Sequence, residues 1–217
     1  MQWLKRTVLL FLGLLAGPVM VMIGGDVLGS DWRTASREPA NIAPDPFTTH
    51  EAVVHVYTTR TYSWRSAFGV HTWISVKPTG ALTYTIYEVI GWRGYGGNSV
   101  LAIHNGIPDR YWFGKRPKLL AEMRGEGVDD TIRRIDTAAR RYPYQHTYTV
   151  YPGPNSNTFT AWVARHVPEL RLDLPPTAIG KDYLGDSLVS GTPSGPSTSF
   201  YKRFVRRPCS GGGRYRG

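Results

Sequence analysis

Cysteine is nearly missing: the chain of 217 residues holds one, Cys209. A single thiol excludes an intramolecular disulfide and any thiolate metal cluster. It stands in a Gly-rich tail, which makes it a bystander rather than a nucleophile in a shaped site. Acidic residues are missing from the last stretch, where no Asp or Glu follows Asp186. That stretch instead carries Lys202, Arg203, Arg206, Arg207, Arg214 and Arg216. Together with Lys5 and Arg6 these account for most of the formal charge of +10 and leave about +2 for the middle of the chain. Basicity belongs to the ends, so no nucleic-acid partner is expected. The spacings of metal and nucleotide chemistry are also missing. The six histidines (50, 55, 71, 104, 146 and 166) form no His-x-His or His-Glu-x-x-His pattern, and Gly91–Gly97 lacks the strand-to-helix setting of a phosphate loop. No metal and no cofactor is expected.

What is present divides the chain into four parts. Thr7 to Gly25 carries no charge. As a helix these nineteen residues span about 28 Å, close to the hydrocarbon core of a bilayer. Lys5 and Arg6 precede the run, and Asp26 and Asp31 follow it. Residues 1–26 are therefore expected to be a transmembrane anchor with its N-terminus in the cytoplasm. A cleaved secretory signal is the competing reading. Both export the rest of the chain; the anchor makes it a single-pass inner-membrane protein whose soluble domain lies in the periplasm. Residues 27–50 read as an extended linker. Residues 51–190 are long enough to bury a core. Residues 191–217 form a basic Gly/Ser/Arg tail, expected to be truncated or frame-shifted.

Within the folded part, Trp and Tyr dominate the aromatics and favour strands. Strands are expected over Glu51–Arg60, Val70–Lys77, Leu82–Ile90 and Val100–His104, with a short one at Thr147–Tyr151. In the second, Val70, Thr72, Ile74 and Val76 share one face, and His71, Trp73, Ser75 and Lys77 share the other. Pro78-Thr79-Gly80 turns the chain into a hairpin. A helical stretch is expected from Pro117 to Met123. A stronger helix is expected over Val128–Tyr142, where Val128, Ile132, Ile135 and Ala139 recur at helical spacing. The fold class is α+β: an antiparallel sheet with flanking helices, plus the N-terminal transmembrane helix.

Residues 152–159 read Pro-Gly-Pro-Asn-Ser-Asn-Thr-Phe. Proline fixes φ and glycine frees it, so this is a tight turn. Asn155, Ser156 and Asn157 then open a helix running to His166. Side chains there meet unpaired backbone N–H groups and the positive end of the helix dipole. Capping is the default role for all three. Chemistry is the alternative: Ser156 as nucleophile, Asn155 and Asn157 as support for an oxyanion. A serine hydroxyl needs a base within reach, and His71 on a strand is the candidate. Tyr84, Tyr87 and Glu88 on the next strand are candidates to orient that imidazole, and the sequence does not choose among them.

Several segments together carry a resemblance. They include Asp31-Trp32-Arg33, Val70-His71-Thr72-Trp73-Ile74, Tyr142-Pro143-Tyr144, Tyr151 through Phe159, and Ala178-Ile179-Gly180-Lys181-Asp182-Tyr183. The chain resembles the bacterial family called domain of unknown function 3750 over roughly residues 31–195, which implies export in Gram-negative bacteria. Asn155-Ser156-Asn157-Thr158-Phe159 after a strand histidine is also similar to permuted papain-like proteins of the NlpC, lecithin:retinol acyltransferase-like and PPPDE types. That likeness implies a hydrolase or acyltransferase acting on amide or ester bonds of an envelope component such as peptidoglycan or lipid. Ser156 stands where those groups carry cysteine, so a non-catalytic binding or structural protein on the same fold is the other implication.

Overall fold

The computed structural model describes residues 2–24, 33–62, 66 and 68–183. Helix α1 (Gln2–Gly24) carries the N-terminal apolar run. Among the described residues no helix is long and apolar enough to cross a membrane. The side chains of residues 18, 19 and 21–24 lie outside that description, so the span expected from Thr7–Gly25 is present here as a helix only. The expected tail, 191–217, also lies outside the described residues.

Five strands build one antiparallel sheet: β1 (Val53–Arg60), β2 (Val70–Lys77), β3 (Tyr84–Val89), β4 (Leu101–Gly106) and β5 (Lys118–Arg124). Their order is β4-β3-β2-β1-β5. β-Branched and aromatic residues fill β1 and β2, which suits a pleated, buried surface. β1 and β2 pair along their whole length, from Val53 opposite Lys77 to Arg60 opposite Val70. Helices α2 (Val128–Arg140) and α3 (Ser156–His166) pack on one face. There Val54, Val56, Ile74, Val76 and Val89 meet Ile132, Ile135, Ala139, Phe159 and Val163 in one core.

The opposite face is also covered at the centre of the sheet, so β1, β2 and β3 are buried on both sides instead of alternating. Tyr57, Trp73 and Ile86 form a second cluster on that face, with Ile42 packed against it. The segment expected as a free linker is docked: Ala40 N–H donates to the Asp109 carbonyl, and Tyr111 N–H to Glu38. The Asp109 carboxylate accepts from the N–H groups of Ile42 and Ala43. Buried backbone groups demand partners, and this segment finds them on the loop after β4.

Two expected elements differ. Pro117–Met123 was assigned helical character, but Lys118–Arg124 is strand β5, paired with β1 from Val53↔Arg124 to Thr58↔Lys118. Leu-Leu-Ala-Glu-Met favours helix intrinsically. The free edge of β1 offers a ladder that outweighs this local preference. Thr147–Tyr151 forms no strand; it is a bent segment tied by Thr149 N–H to the Pro154 carbonyl.

Beside α3 the core also contains an unmet polar group. Tyr142 packs edge-on against Phe159 and Trp162, yet its hydroxyl is buried with no hydrogen-bond partner. Tyr142→Phe is expected to hold stability or raise it by about 1 kcal/mol. The urea midpoint reads this; a clear fall would reveal a partner for the hydroxyl.

Candidate functional site

The first turn of α3 is fixed by an extensive capping arrangement. Asn155 is extended (φ −148) and acts as N-cap. Its Oδ1 accepts from the N–H groups of Asn157 at 2.9 Å and Thr158 at 3.2 Å, while Thr158 Oγ1 accepts the Asn155 N–H at 3.1 Å. Asn155 Nδ2 donates to the carbonyls of Val150 and Ile179. Asn157 Nδ2 donates to Val70 and Ile179, and its Oδ1 accepts from the Thr72 hydroxyl at 3.0 Å. Both asparagines are therefore occupied in positioning the helix, and the Asn157 N–H is already taken. In this arrangement Asn155 and Asn157, considered as support for an oxyanion, make capping and bridging bonds instead. Gly180 completes the arrangement: it has φ +92, and a Cβ there would lie 2.4 Å from Asn155 Nδ2.

Ser156 is different. Among the described residues its hydroxyl has no hydrogen-bond partner, and neither does its backbone N–H. It occupies the first helical position, where N–H groups are unpaired by construction.

Strand alternation directs Thr72 toward α3, within 2.9 Å of the Thr160 hydroxyl, and sends His71 to the far face of β2. The two faces nevertheless meet at one cleft. The ladder between β2 and β3 covers only Ile74–Val76 against Thr85–Tyr87. Beyond Ile74 the strands part, and a cavity of about 770 Å³ on the outer face of the helices is separate from the one that opens here, about 620 Å³. The cleft at the parted strands is lined by His71, Ser156, Asn155 and Asn157 together with aromatic and aliphatic side chains. Among the described residues no Asp, Glu, Lys or Arg lines it.

Behind His71 lies Glu88, fully buried on β3. Arg110 Nη2 lies 2.7 Å from both of its carboxylate oxygens. His104 Nε2 is 3.0 Å from Oε1. His71 Nε2 is 3.5 Å from Oε2, too long and poorly aligned for a hydrogen bond, and this buried nitrogen has no such partner. The contact is electrostatic. Burial pushes the Glu88 carboxyl up, but His104, His71 and Arg110 outweigh it and hold the group well below the usual carboxylate range. Burial pushes the His71 imidazole down, against an opposing pull from Glu88. His104, bonded to the carboxylate, is raised. Such a cluster titrates as a unit.

Of the three residues expected as a third polar group, Glu88 contacts His71, while Tyr87 donates to Asp136 and Tyr84 also turns elsewhere. The Tyr84 hydroxyl donates to the Pro44 carbonyl, and burial pushes it up to about 12. Three neighbours escaped the sequence reading. Trp112 stacks on His71 with ring centres 3.9 Å apart and planes inclined by 16°. Arg110 lies over Trp112 and Trp73. His104 reaches Glu88 from β4. Only the hairpin register, with Ile86 opposite His104, would have placed His104 there. Trp112 and Arg110 lie outside the named strands and helices and give no periodic signal. Among the described residues no group of three or more His, Cys, Asp or Glu side chains is placed to hold a metal ion.

The chain belongs to the family described as Protein of unknown function (DUF3750). The match covers residues 51–183, and every described residue lining the cleft falls within this DUF3750 domain. No curated protein and no solved structure matches the chain. The papain-like likeness therefore rests on the short motifs alone.

Proposed function

We propose that this DUF3750 protein is an envelope hydrolase or acyl transferase acting on ester or amide bonds, with Ser156 as nucleophile and His71 as its base. The observation that carries the reading is the shared cleft: Ser156 at a helix N-terminus and His71 on a strand line one cavity, uncharged among the described residues. Glu88 lies against the other edge of the His71 ring. A serine hydroxyl titrates far above neutrality, so a helix dipole alone does not ionise it, and a base is required.

With Nε2 facing Glu88, Nδ1 is the ring nitrogen left to serve the cleft. Burial keeps the imidazole neutral and ready to accept a proton, and the Glu88 charge stabilises the imidazolium that follows. Ser156 Oγ bonds to the substrate carbonyl carbon as its proton passes to His71. The Ser156 N–H is the donor available to the oxyanion. The bond to the leaving alcohol or amine then breaks, and His71 returns the proton to that atom. Water attacks the acyl-serine with the same imidazole as base, giving a carboxylic acid and the free hydroxyl. An acceptor alcohol or amine in place of water would complete a transfer. A strand histidine preceding a helix-borne nucleophile in chain order is what supports a permuted papain-like arrangement.

Lys5 and Arg6 before the uncharged run support an inner-membrane location with the domain in the periplasm. Carbonate extraction and periplasmic protease accessibility test that placement.

A fluorophosphonate probe applied to the membrane fraction tests the chemistry. Labelling is expected in the wild type and lost in Ser156→Ala and His71→Ala, and Ser156→Cys is expected to gain iodoacetamide reactivity. A second reading, a binding protein without catalysis, is favoured by one observation: among the described residues no hydrogen bond joins Ser156 to His71, whose ring lies flat against Trp112. A folded protein that never labels would establish that second reading.

A further inference from the structure

We propose that the cleft takes a long uncharged acyl chain, so that the substrate is a lipid ester or amide rather than a stem peptide of peptidoglycan. This rests on the Ser156–His71 reading for the reaction, though not for the binding.

The first argument is charge. Among the described residues the cleft has no charged lining side chain. Glu88, the nearest carboxylate, is already bound by Arg110 and His104. A stem peptide brings carboxylates and an amine, and each would lose its hydration without finding a counter-charge.

The second argument is the supply of polar groups. A sugar bound on aromatic rings also needs hydrogen-bonding groups for its hydroxyls. Asn155 and Asn157 line the cleft, but their amide N–H groups are engaged by the Val150, Val70 and Ile179 carbonyls. The Thr61 hydroxyl donates to the Gly69 carbonyl, and the other lining hydroxyls sit on the tyrosine rings of the wall. At the end where Ser156 and His71 lie, the serine hydroxyl and the imidazole edge remain. Two such groups suit one ester or amide carbonyl.

The third argument is the wall. From His71 the rings run outward without interruption: Trp112 at 3.9 Å, then Trp92 at 5.8 Å and Phe113 at 5.2 Å from Trp112. At the mouth, Tyr95 is 94% exposed and Tyr151 is 70% exposed. Exposed tyrosines around an apolar opening suit a lipid–water boundary, where the ring meets apolar groups and the hydroxyl meets water. A cavity of about 620 Å³ has the size of a site that engulfs a ligand, and far exceeds an acetyl group.

The experiment uses the purified full-length chain with two readouts. Hydrolysis of p-nitrophenyl esters is followed from acetate to decanoate, and binding of the uncharged 11-(dansylamino)undecanamide to Ser156→Ala is followed by fluorescence. The inference expects kcat/KM to rise about fourfold per added methylene until the cleft is filled, and the dansyl probe to bind saturably. Gly91→Ala gives a further check without touching Ser156 or His71. A Cβ there would lie 2.6 Å from the Tyr148 ring, so the cleft wall must shift. The decanoate rate should fall at least about tenfold while acetate is little changed. Saturable probe binding without hydrolysis would remove the Ser156–His71 reading and leave the acyl site standing. Hydrolysis that does not depend on chain length, with no probe binding, would overturn the acyl site and leave the Ser156–His71 reading standing. Displacement of the probe by a soluble stem tetrapeptide would overturn the acyl assignment, and neither binding nor hydrolysis would overturn both.

Discussion

Glu88→Ala is expected to cost about 3 kcal/mol of stability, because it leaves the largely covered Arg110 guanidinium, 16% exposed, without its carboxylate. Arg110 loses both 2.7 Å contacts, and His104 loses its acceptor. Glu88→Gln retains the shape but not the charge, and should lie between wild type and alanine. The pH profile separates this cluster from ordinary packing. The folded-state pKa of Glu88 is depressed, so its contribution is full above the usual carboxylate range and disappears as the pH falls. His71 is also depressed. The unfolded chain then takes up its proton first, and stability begins to fall below the ordinary histidine value of about 6.5. His104 is raised. Its contribution is present below that same value and is lost as the pH climbs through its raised folded-state pKa. Wild type should therefore weaken on both sides of a mildly acidic optimum. In Glu88→Ala the alkaline loss from His104 and the carboxylate step should both vanish. Urea unfolding at a series of pH values measures this, and a variant whose profile parallels wild type would refute the electrostatic account.

The same cluster shows where sequence is informative. The alternation in Val70–Lys77 correctly separated Thr72, Ile74 and Val76 from His71, Trp73, Ser75 and Lys77, because one face of a strand must bury against the helices. The spacing of Val128, Ile132, Ile135 and Ala139 located α2 for the same reason. What failed depended on partners distant in the chain. The Leu-Leu-Ala-Glu-Met segment reads as helix until the edge of β1 is known to need a neighbour. Glu88, Tyr84 and Tyr87 are equivalent on paper; register sends Glu88 to His71, while the Tyr87 hydroxyl goes to Asp136 and that of Tyr84 to Pro44. The cleft itself was not legible. It exists because the β2–β3 ladder stops after three pairs, a gap that no local pattern encodes.

Asn155→Ala is expected to cost about 2–3 kcal/mol, more than an ordinary cap. Loss of the cap alone is worth about 1 kcal/mol. The remainder comes from Nδ2, which bridges Val150 and Ile179; an orphaned carbonyl costs about 1–3 kcal/mol when buried. Val150 is exposed and its neighbourhood can rehydrate, and Ile179 keeps the Asn157 donor, which holds the sum near the lower figures. Asn155→Asp distinguishes the two roles. Aspartate retains the acceptor for Asn157 and Thr158 and suits the helix dipole. It also turns a carboxylate oxygen toward two carbonyls where an amide had donated. Aspartate should therefore fail to rescue, and full rescue would reduce Asn155 to a cap. Ser156→Ala provides the contrast. Its hydroxyl makes no hydrogen bond among the described residues, so stability should stay within about 0.5 kcal/mol of wild type. An intact fold in Ser156→Ala beside a weakened one in Asn155→Ala would divide the motif physically. The asparagine would then hold the helix in place, and the serine hydroxyl would take no part in doing so.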